Sequence, residues 1–212
     1  MYELLAKLML AGKLKFEQGK INFASQYMTW LPLKTLKFMT LEAIKEGQEG
    51  INKLYLIGWH FGYIFTDSYM QTFSLKPFEE TFKMIMDVAV LIGYGDYKTL
   101  EFKQKHHSKF VNIDNPFGKL FYPSKEKHCI FIRGVNAGGG TALHQILMNG
   151  IELECTANNN KQCLFMNLEN SVLQSQYPEF MKEQVDLKWL TPRQLKIIKE
   201  NGQNPNTFVN KV

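Results

Sequence analysis

CIFIRGVNAGGGTALHQILMNGIELECTANNNKQCLFMNLE, residues 129–169, changes its periodicity partway along, and that change decides the fold class. The part from Cys129 to Met148 reads as a helix, although three consecutive glycines (138–140) sit inside it. GIELECTAN (150–158) and QCLFMNLE (162–169) then read as two strands of a hairpin joined by Asn158-Asn159-Asn160. Upstream, YKTLEFKQK (97–105) and SKFVNIDNP (108–116) predict another antiparallel pair, with His106-His107 as an exposed turn. Helical patterns precede it. PFEETFKMIMDVAVLIGYG (77–95) opens at Pro77 and stops at Gly93. INKLYLIGWHFGYIFTDSYMQTF (51–73) carries Gly58 and Gly62 on one face, where a neighbouring backbone can approach closely. A further helix follows Pro32 and ends at Gly47, and a hairpin around Gln18-Gly19-Lys20 follows a short first helix. Hairpin, helices, hairpin, helix, hairpin is an α+β order: an antiparallel sheet packed against helices, in a single domain with a short helical C-terminal tail. The expected division is 1–170 for the domain and 171–212 for the tail, whose end (NGQNPNTFVNKV) reads as polar and frayed.

Composition agrees with a folded, water-facing chain. Of 212 residues 45% are hydrophobic and 21% charged, too apolar for disorder, and no apolar run reaches the ~20 residues that span a bilayer. The first apolar stretch is broken by Lys7 and lacks a basic leader, which predicts no signal peptide and a cytoplasmic location. The net charge of +5 comes without a dense basic block. The richest stretch, Lys98 to Lys127, alternates its lysines with apolar residues, so nucleic acid is not an expected partner. Two motif outlines fail on their chemistry. Gly134 to Thr141 has a phosphate-loop outline, but Gly140 stands where the lysine belongs, so the glycines read as close helix packing or room for a ligand. LTPRQLKIIKENG (190–202) resembles the first helix of a helix-turn-helix, with Thr191 as cap and Pro192 in the first turn, but too few residues follow it for a recognition helix. It reads instead as a short helix docked on the domain.

The three cysteines, an odd number, argue against a disulfide framework. Cys155 and Cys163 face each other across the last hairpin, Glu152 precedes Cys155 by three, and Cys129 opens the helix before it. That odd spacing puts Glu152 and Cys155 on opposite faces of a flat strand, so convergence requires a bulge or a twist at the strand end. If all four serve as ligands, they would compose a zinc site with no open position, structural in kind. Buried free thiols are the competing reading, with His128 and Glu154 as alternative ligands. A helix N-terminus at Cys129 would favour its thiolate. Three thiolates and a carboxylate leave about two excess negative charges around Zn²⁺, which Lys161 and Arg133 can offset in part.

Residues 129–169 resemble the closing signature of the 4-vinyl-reductase domain family, which occurs in archaeal proteins and aromatic-sensing bacterial activators. The resemblance rests on Cys129, Phe131, Gly134, Gly138, Glu152, Cys155, Cys163 and Phe165. It implies that Cys129, Glu152, Cys155 and Cys163 bind the metal. It also implies a fold related to trafficking-complex subunits and nitric-oxide sensors, often dimeric, that binds a small apolar or aromatic molecule. With 16 Phe, 9 Tyr and 10 Met available, a pocket is expected between the 77–93 helix, the Phe110 strand and the Cys129 helix. Phe82, Met86, Phe110 and Phe131 are its expected lining, with Arg133 pairing an acidic group on the ligand. No catalytic set stands out among the five histidines. The expectation is a non-catalytic sensor or carrier. The rivals are a scaffold dimerising through the glycine-bearing helix, and an accessory role in tetrapyrrole or aromatic metabolism.

Overall fold

Four glycines on two helices set the architecture. In the computed structural model, which describes residues 2–29, 31–76 and 79–209, α3 (Gln48–Phe73) crosses α6 (Ile130–His144) almost backbone to backbone. A Cβ at Gly58 or Gly62 would fall on a carbonyl oxygen of α6 (Phe131 or Val135), and one at Gly134 or Gly138 on a carbonyl oxygen of α3 (Tyr55 or Trp59). The glycine face of α3 is therefore covered by α6 of the same chain, which removes it as the surface for a second copy. The tight crossing lets Tyr55 and Trp59 reach past α6 to the sheet. The Tyr55 hydroxyl donates to Asn149 and accepts from the Gly150 N–H, and Trp59 Nε1 donates to the Met148 carbonyl.

That sheet has four antiparallel strands in the order β4-β5-β7-β6: β4 (Tyr97–Lys103), β5 (His107–Asn112), β6 (Met148–Glu154) and β7 (Cys163–Glu169). It packs against α6, with α4 (Glu79–Leu91) beside β4. The expected helix start at Pro77 lies outside the described residues. The architecture is the α+β one expected. A separate three-stranded sheet follows α1 (Tyr2–Leu10): β1 (Leu14–Glu17), β2 (Lys20–Phe23) and β3 (Gln26–Met28), ahead of α2 (Leu33–Lys45). The sequence reading missed β3. Ala24 and Ser25 turn the chain with φ of 48° and 66°, the two positive angles of a primed hairpin turn without its usual Asn or Gly.

Several boundaries are corrected. The Cys129 helix ends at His144, because Gln145 takes a left-handed conformation, and Met148 already belongs to β6. His107 opens β5 and is largely covered, so the turn falls on residues 104–106, with Lys105 at φ 56°. The strand expected to run to Pro116 stops at Asn112, and α5 (Pro116–Lys119) follows, capped by Asn115. At the C-terminus α7 (Asn170–Gln176), α8 (Pro178–Gln184) and α9 (Leu187–Glu200) pack onto the domain. Helix α9 begins at the Asp186 cap, not at Thr191, so Pro192 sits inside it. The segment after α9 is also less frayed than its composition implies. Phe208 is buried against Tyr63, and its carbonyl accepts the Leu147 N–H. Residues 210–212 lie outside the description.

Because β6 is an edge strand, its outer backbone groups need partners. Gln184 supplies them: its Oε1 accepts the Glu152 N–H at 2.9 Å and its Nε2 donates to the Glu152 carbonyl at 3.0 Å. Arg133 in turn grips Gln184 through Oε1 and the main-chain carbonyl, at 2.8 and 2.6 Å. The tail thus closes the sheet edge next to one of the proposed metal ligands.

Candidate metal centre and ligand cavity

The sequence places the four candidate ligands on different local structures, and the fold brings them together. Cys129 is the N-cap residue of α6, and Cys163 is the first residue of β7. On β6, Glu152 pairs with Phe165 while Glu154 pairs with Leu164, so Leu153 is the extra residue of a β-bulge. The bulge required by the odd spacing is there. It turns Glu152 inward with Cys155, and a short 3₁₀ turn (Thr156–Asn158) returns the chain toward Cys163. All four side chains are buried, and their ligand atoms lie within 4.8 Å of one another. The three Sγ–Sγ separations are 3.8, 3.9 and 4.0 Å. A tetrahedron with metal–sulfur bonds of ~2.3 Å has edges of about 3.8 Å, so the thiols already stand at the spacing that such an ion imposes. Both Glu152 carboxylate oxygens are buried with no hydrogen-bond partner, a costly arrangement that a cation would relieve.

Neighbouring groups orient the sulfurs. Asn115 Oδ1 accepts the Phe117 and Gly118 N–H groups, and its Nδ2 donates to Cys129 Sγ at 3.3 Å. The Thr156 N–H donates to Cys163 Sγ at 3.3 Å. Sequence reading missed both residues; the Asn-Pro pair at 115–116, a capping signal, was the available clue to the first. Hydrogen bonds from the Cys129 and Cys155 thiols pull Cys163 down to about 3, with Thr156 helping. Those same bonds, together with burial, hold Cys129 well above the ordinary thiol range, so the expected thiolate-favouring effect of its helix terminus is outweighed. Burial pushes the Glu152 carboxyl up to about 7, and the Cys163 charge adds to the rise. The cluster gathers more acidic groups than it can ionise unaided; a divalent cation would allow all of them to lose their protons.

The alternative ligands stand apart. His128 Nε2 pairs with Ser124 Oγ at 2.7 Å, and Glu154 accepts from Gln162. Arg133 is fully enclosed, its guanidinium over the Tyr55 ring, and feels the charges of Glu152 and Cys129. Lys161 is exposed on the loop before Cys163.

A narrow cavity of about 40 Å³ opens on another face of α6, between α3, α4 and α6. Phe61 and Phe65 of α3, Phe82 and Met86 of α4, and Tyr94 after α4 form most of its wall. Asn136, Gly139 and Gly140 of α6 form the rest of the surface nearest the sheet. Phe82 and Met86 line this cavity. Phe110 lies behind Phe82, ring centroids 5.9 Å apart. Phe131 faces a smaller cleft against α2 and α5 while touching Phe61, and Arg133 points away toward Gln184. The contribution of α3 went unread, although Phe61 and Phe65 are four apart and flank Gly62, the residue that brings α3 against α6.

This arrangement of helices and sheet has counterparts among solved structures. The chain is similar in fold to a phenol-responsive sensory domain. That domain, from the transcription activator PoxR and solved with phenol, superposes with a TM-score of 0.70 at 19% identity, over 84% of this chain and 94% of its own. A trafficking protein particle complex subunit 3 from Naegleria fowleri, covalently bound to palmitic acid, gives 0.51 at 16% identity, over 64% and 91%. A vinyl-4-reductase family protein from Methanocaldococcus jannaschii gives 0.48 at 18%, over 67% and 83%. The likeness to the sensory domain and to the trafficking subunit is one of fold, the fold that the sequence resemblance implies. The sequence itself matches no family model and no curated protein. Among the described residues no helix is long and apolar enough to cross a membrane.

Proposed function

We propose that the chain is a non-catalytic ligand-binding domain, a sensor or carrier, that holds a small apolar or aromatic molecule in the cavity between α3, α4 and α6. The observation that carries this reading is the cavity itself, walled by aromatic rings and, among the described residues, bounded by no charged side chain. The similar domain from PoxR responds to phenol, which favours a small aromatic ligand over a long acyl chain. A panel of phenols, fatty acids and tetrapyrroles tests it: at least one class raises the melting temperature, and no shift with any class refutes the reading.

Zinc, held by Cys129, Glu152, Cys155 and Cys163, is the proposed structural ion. The donor chemistry, the sulfur spacing and the unpartnered Glu152 oxygens support it. Such an ion would cross-link the start of α6 to the last hairpin and stabilise the fold without performing chemistry. Residues 1–170 would then carry both sites, with 171–212 as a buttress. Reduced thiols suit a cytoplasmic location. Elemental analysis decides the metal: protein purified without chelator should carry close to one equivalent of zinc, and less than about half an equivalent counts against it.

A homodimer is the proposed assembly, favoured by one observation. Leu10, Phe16, Tyr27 and Phe38, from α1, the three-stranded sheet and α2, are 89%, 59%, 69% and 63% exposed. Light scattering of the intact protein and of Phe16→Glu tests it; a monomeric wild type removes this part of the reading.

A further inference from the structure

Among the described residues Asn136 is the one amide in the cavity wall, and its surroundings leave it half satisfied. It is 8% exposed, its Oδ1 accepts from the Tyr97 hydroxyl at 3.4 Å, and its Nδ2 has no partner. The Asn167 side chain donates to the Asn136 carbonyl at 2.9 Å, so the residue is anchored from the sheet side and its free donor is the group left over. Gly139 follows at i+3 and lines the cavity beside the amide, facing the Thr66 hydroxyl, while Gly140 at i+4 packs on the Asn167 side chain at the cavity's edge. A buried donor without an acceptor is disfavoured, and an acceptor atom on the ligand would relieve it. Among the described residues no Lys, Arg, His, Asp or Glu lines the cavity, so an ionised ligand group would lose its water and gain no counter-charge from them.

We infer that Asn136 is the specificity-determining residue of the cavity, donating from Nδ2 to the ligand, and that the preferred ligand is an uncharged one-ring aromatic bearing a hydrogen-bond acceptor, aryl ketones being the simplest class. The inference rests on the ligand-binding reading above and adds which polar atom that ligand carries. It would make Arg133 unnecessary for recognition, consistent with its engagement by Gln184.

The test uses three ligands of nearly one shape: acetophenone, its hydrocarbon isostere α-methylstyrene, and benzoate, titrated calorimetrically into the intact protein and into Asn136→Leu. Transfer from water by itself favours the hydrocarbon, so the quantity read is the change in the ketone-to-hydrocarbon affinity ratio between the two proteins. That ratio is expected to fall about tenfold in Asn136→Leu, and benzoate is expected to bind wild type at least about tenfold more weakly than the ketone. A second readout needs no variant: the carbonyl stretch of bound, isotope-labelled acetophenone should lie below its position in alkane, as a hydrogen-bonded carbonyl does. A stretch at the alkane position, an unchanged ratio, or benzoate binding as well as the ketone overturns the role of Asn136 and leaves the cavity reading standing. Failure of all three compounds to bind overturns this inference, and the cavity reading falls with it only if the panel of phenols, fatty acids and tetrapyrroles fails as well.

Discussion

Gly138 and Gly139 are adjacent in the same helix, and replacing each by alanine separates helix propensity from packing. Each substitution gains up to ~1 kcal/mol of propensity. Their surroundings differ. A Cβ at Gly138 would fall on the Trp59 carbonyl oxygen and lie 2.8 Å from both the Trp59 carbonyl carbon and the Tyr63 nitrogen. These are backbone atoms of a 26-residue helix and cannot rotate away, so α3 would have to retreat by on the order of 1 Å to restore ordinary contact distances. Overpacking of this kind costs ~3 kcal/mol at the upper end of its range. The retreat would also stretch the Tyr55 and Trp59 hydrogen bonds to β6, each worth ~1 kcal/mol. The net loss for Gly138→Ala is therefore about 3–4 kcal/mol. A Cβ at Gly139 meets the Thr66 hydroxyl at 3.0 Å and the Gly62 carbonyl oxygen at an ordinary 3.8 Å, so Gly139→Ala should stay within ~1 kcal/mol of wild type. Urea unfolding with a slope of ~2 kcal/mol/M separates the two midpoints by roughly 1.5 M. Midpoints that agree within about 0.5 M would mean that the helices are not held at backbone contact, and the account of the core given above would fail.

Other perturbations probe the remaining parts. Cys155→Ser should lose bound zinc and stability together, whereas Asn115→Ala should keep the ion but bind it about 10- to 100-fold more weakly in a chelator competition; full zinc retention in Cys155→Ser refutes the site. His144 is fully enclosed with neither ring nitrogen partnered, and burial, helped by His107 and His106, pushes it down to about 4 from 6.5. The unfolded chain then binds a proton that the folded one refuses, so stability present above pH 6.5 is lost as pH falls toward 4, by about 3 kcal/mol. Subtracting the stability curve of His144→Phe from that of wild type cancels the acid release of the metal centre, and parallel curves would sink the claim. Phe208→Ala should cost about 3 kcal/mol if the C-terminal segment is part of the core; an unchanged melting temperature would return it to the status of a frayed end.

The parts of the fold that could be read in advance are those with a periodicity or a punctuating residue. The change of period after the Cys129 helix, the glycine stops at Gly47 and Gly93, and the Gly58/Gly62 face all have local causes, and the structure uses each of them. The errors arise where a conformation lacks its usual residue. Ala24-Ser25 makes a primed turn without Asn or Gly, and Gln145 ends α6 in a left-handed conformation that glycine more often supplies. Pro192 looked like a helix start because proline favours the first turn, yet the Asp186 side chain caps the Trp189 N–H and starts α9 earlier. The gathering of the four metal-type residues was legible because cysteine and glutamate are conspicuous types and their odd spacing demanded a bulge.

The cavity was less legible for a physical reason that α6 makes plain. One 15-residue helix presents different faces to different tasks. Cys129 at its cap faces the metal cluster, Gly134 and Gly138 admit α3, Arg133 holds the edge of β6 through Gln184, and Asn136, Gly139 and Gly140 face the cavity. Neighbouring glycines in one run thus do different things: Gly138 is filled by another backbone and Gly140 by the Asn167 side chain, while Gly139 faces the Thr66 hydroxyl at the cavity wall. A missing side chain looks the same in sequence whether a helix or a ligand occupies its place. Only the position of α3 separates the two cases, and that position depends on Gly58 and Gly62, more than seventy residues earlier in the chain. The same logic misdirected the reading of Arg133. A lone arginine near a supposed pocket invites pairing with a ligand acid, but its guanidinium is held by the Gln184 side chain and main-chain carbonyl. Recognition is then left to an uncharged amide, so charge on the ligand should count against binding, opposite to what an arginine in the pocket would produce.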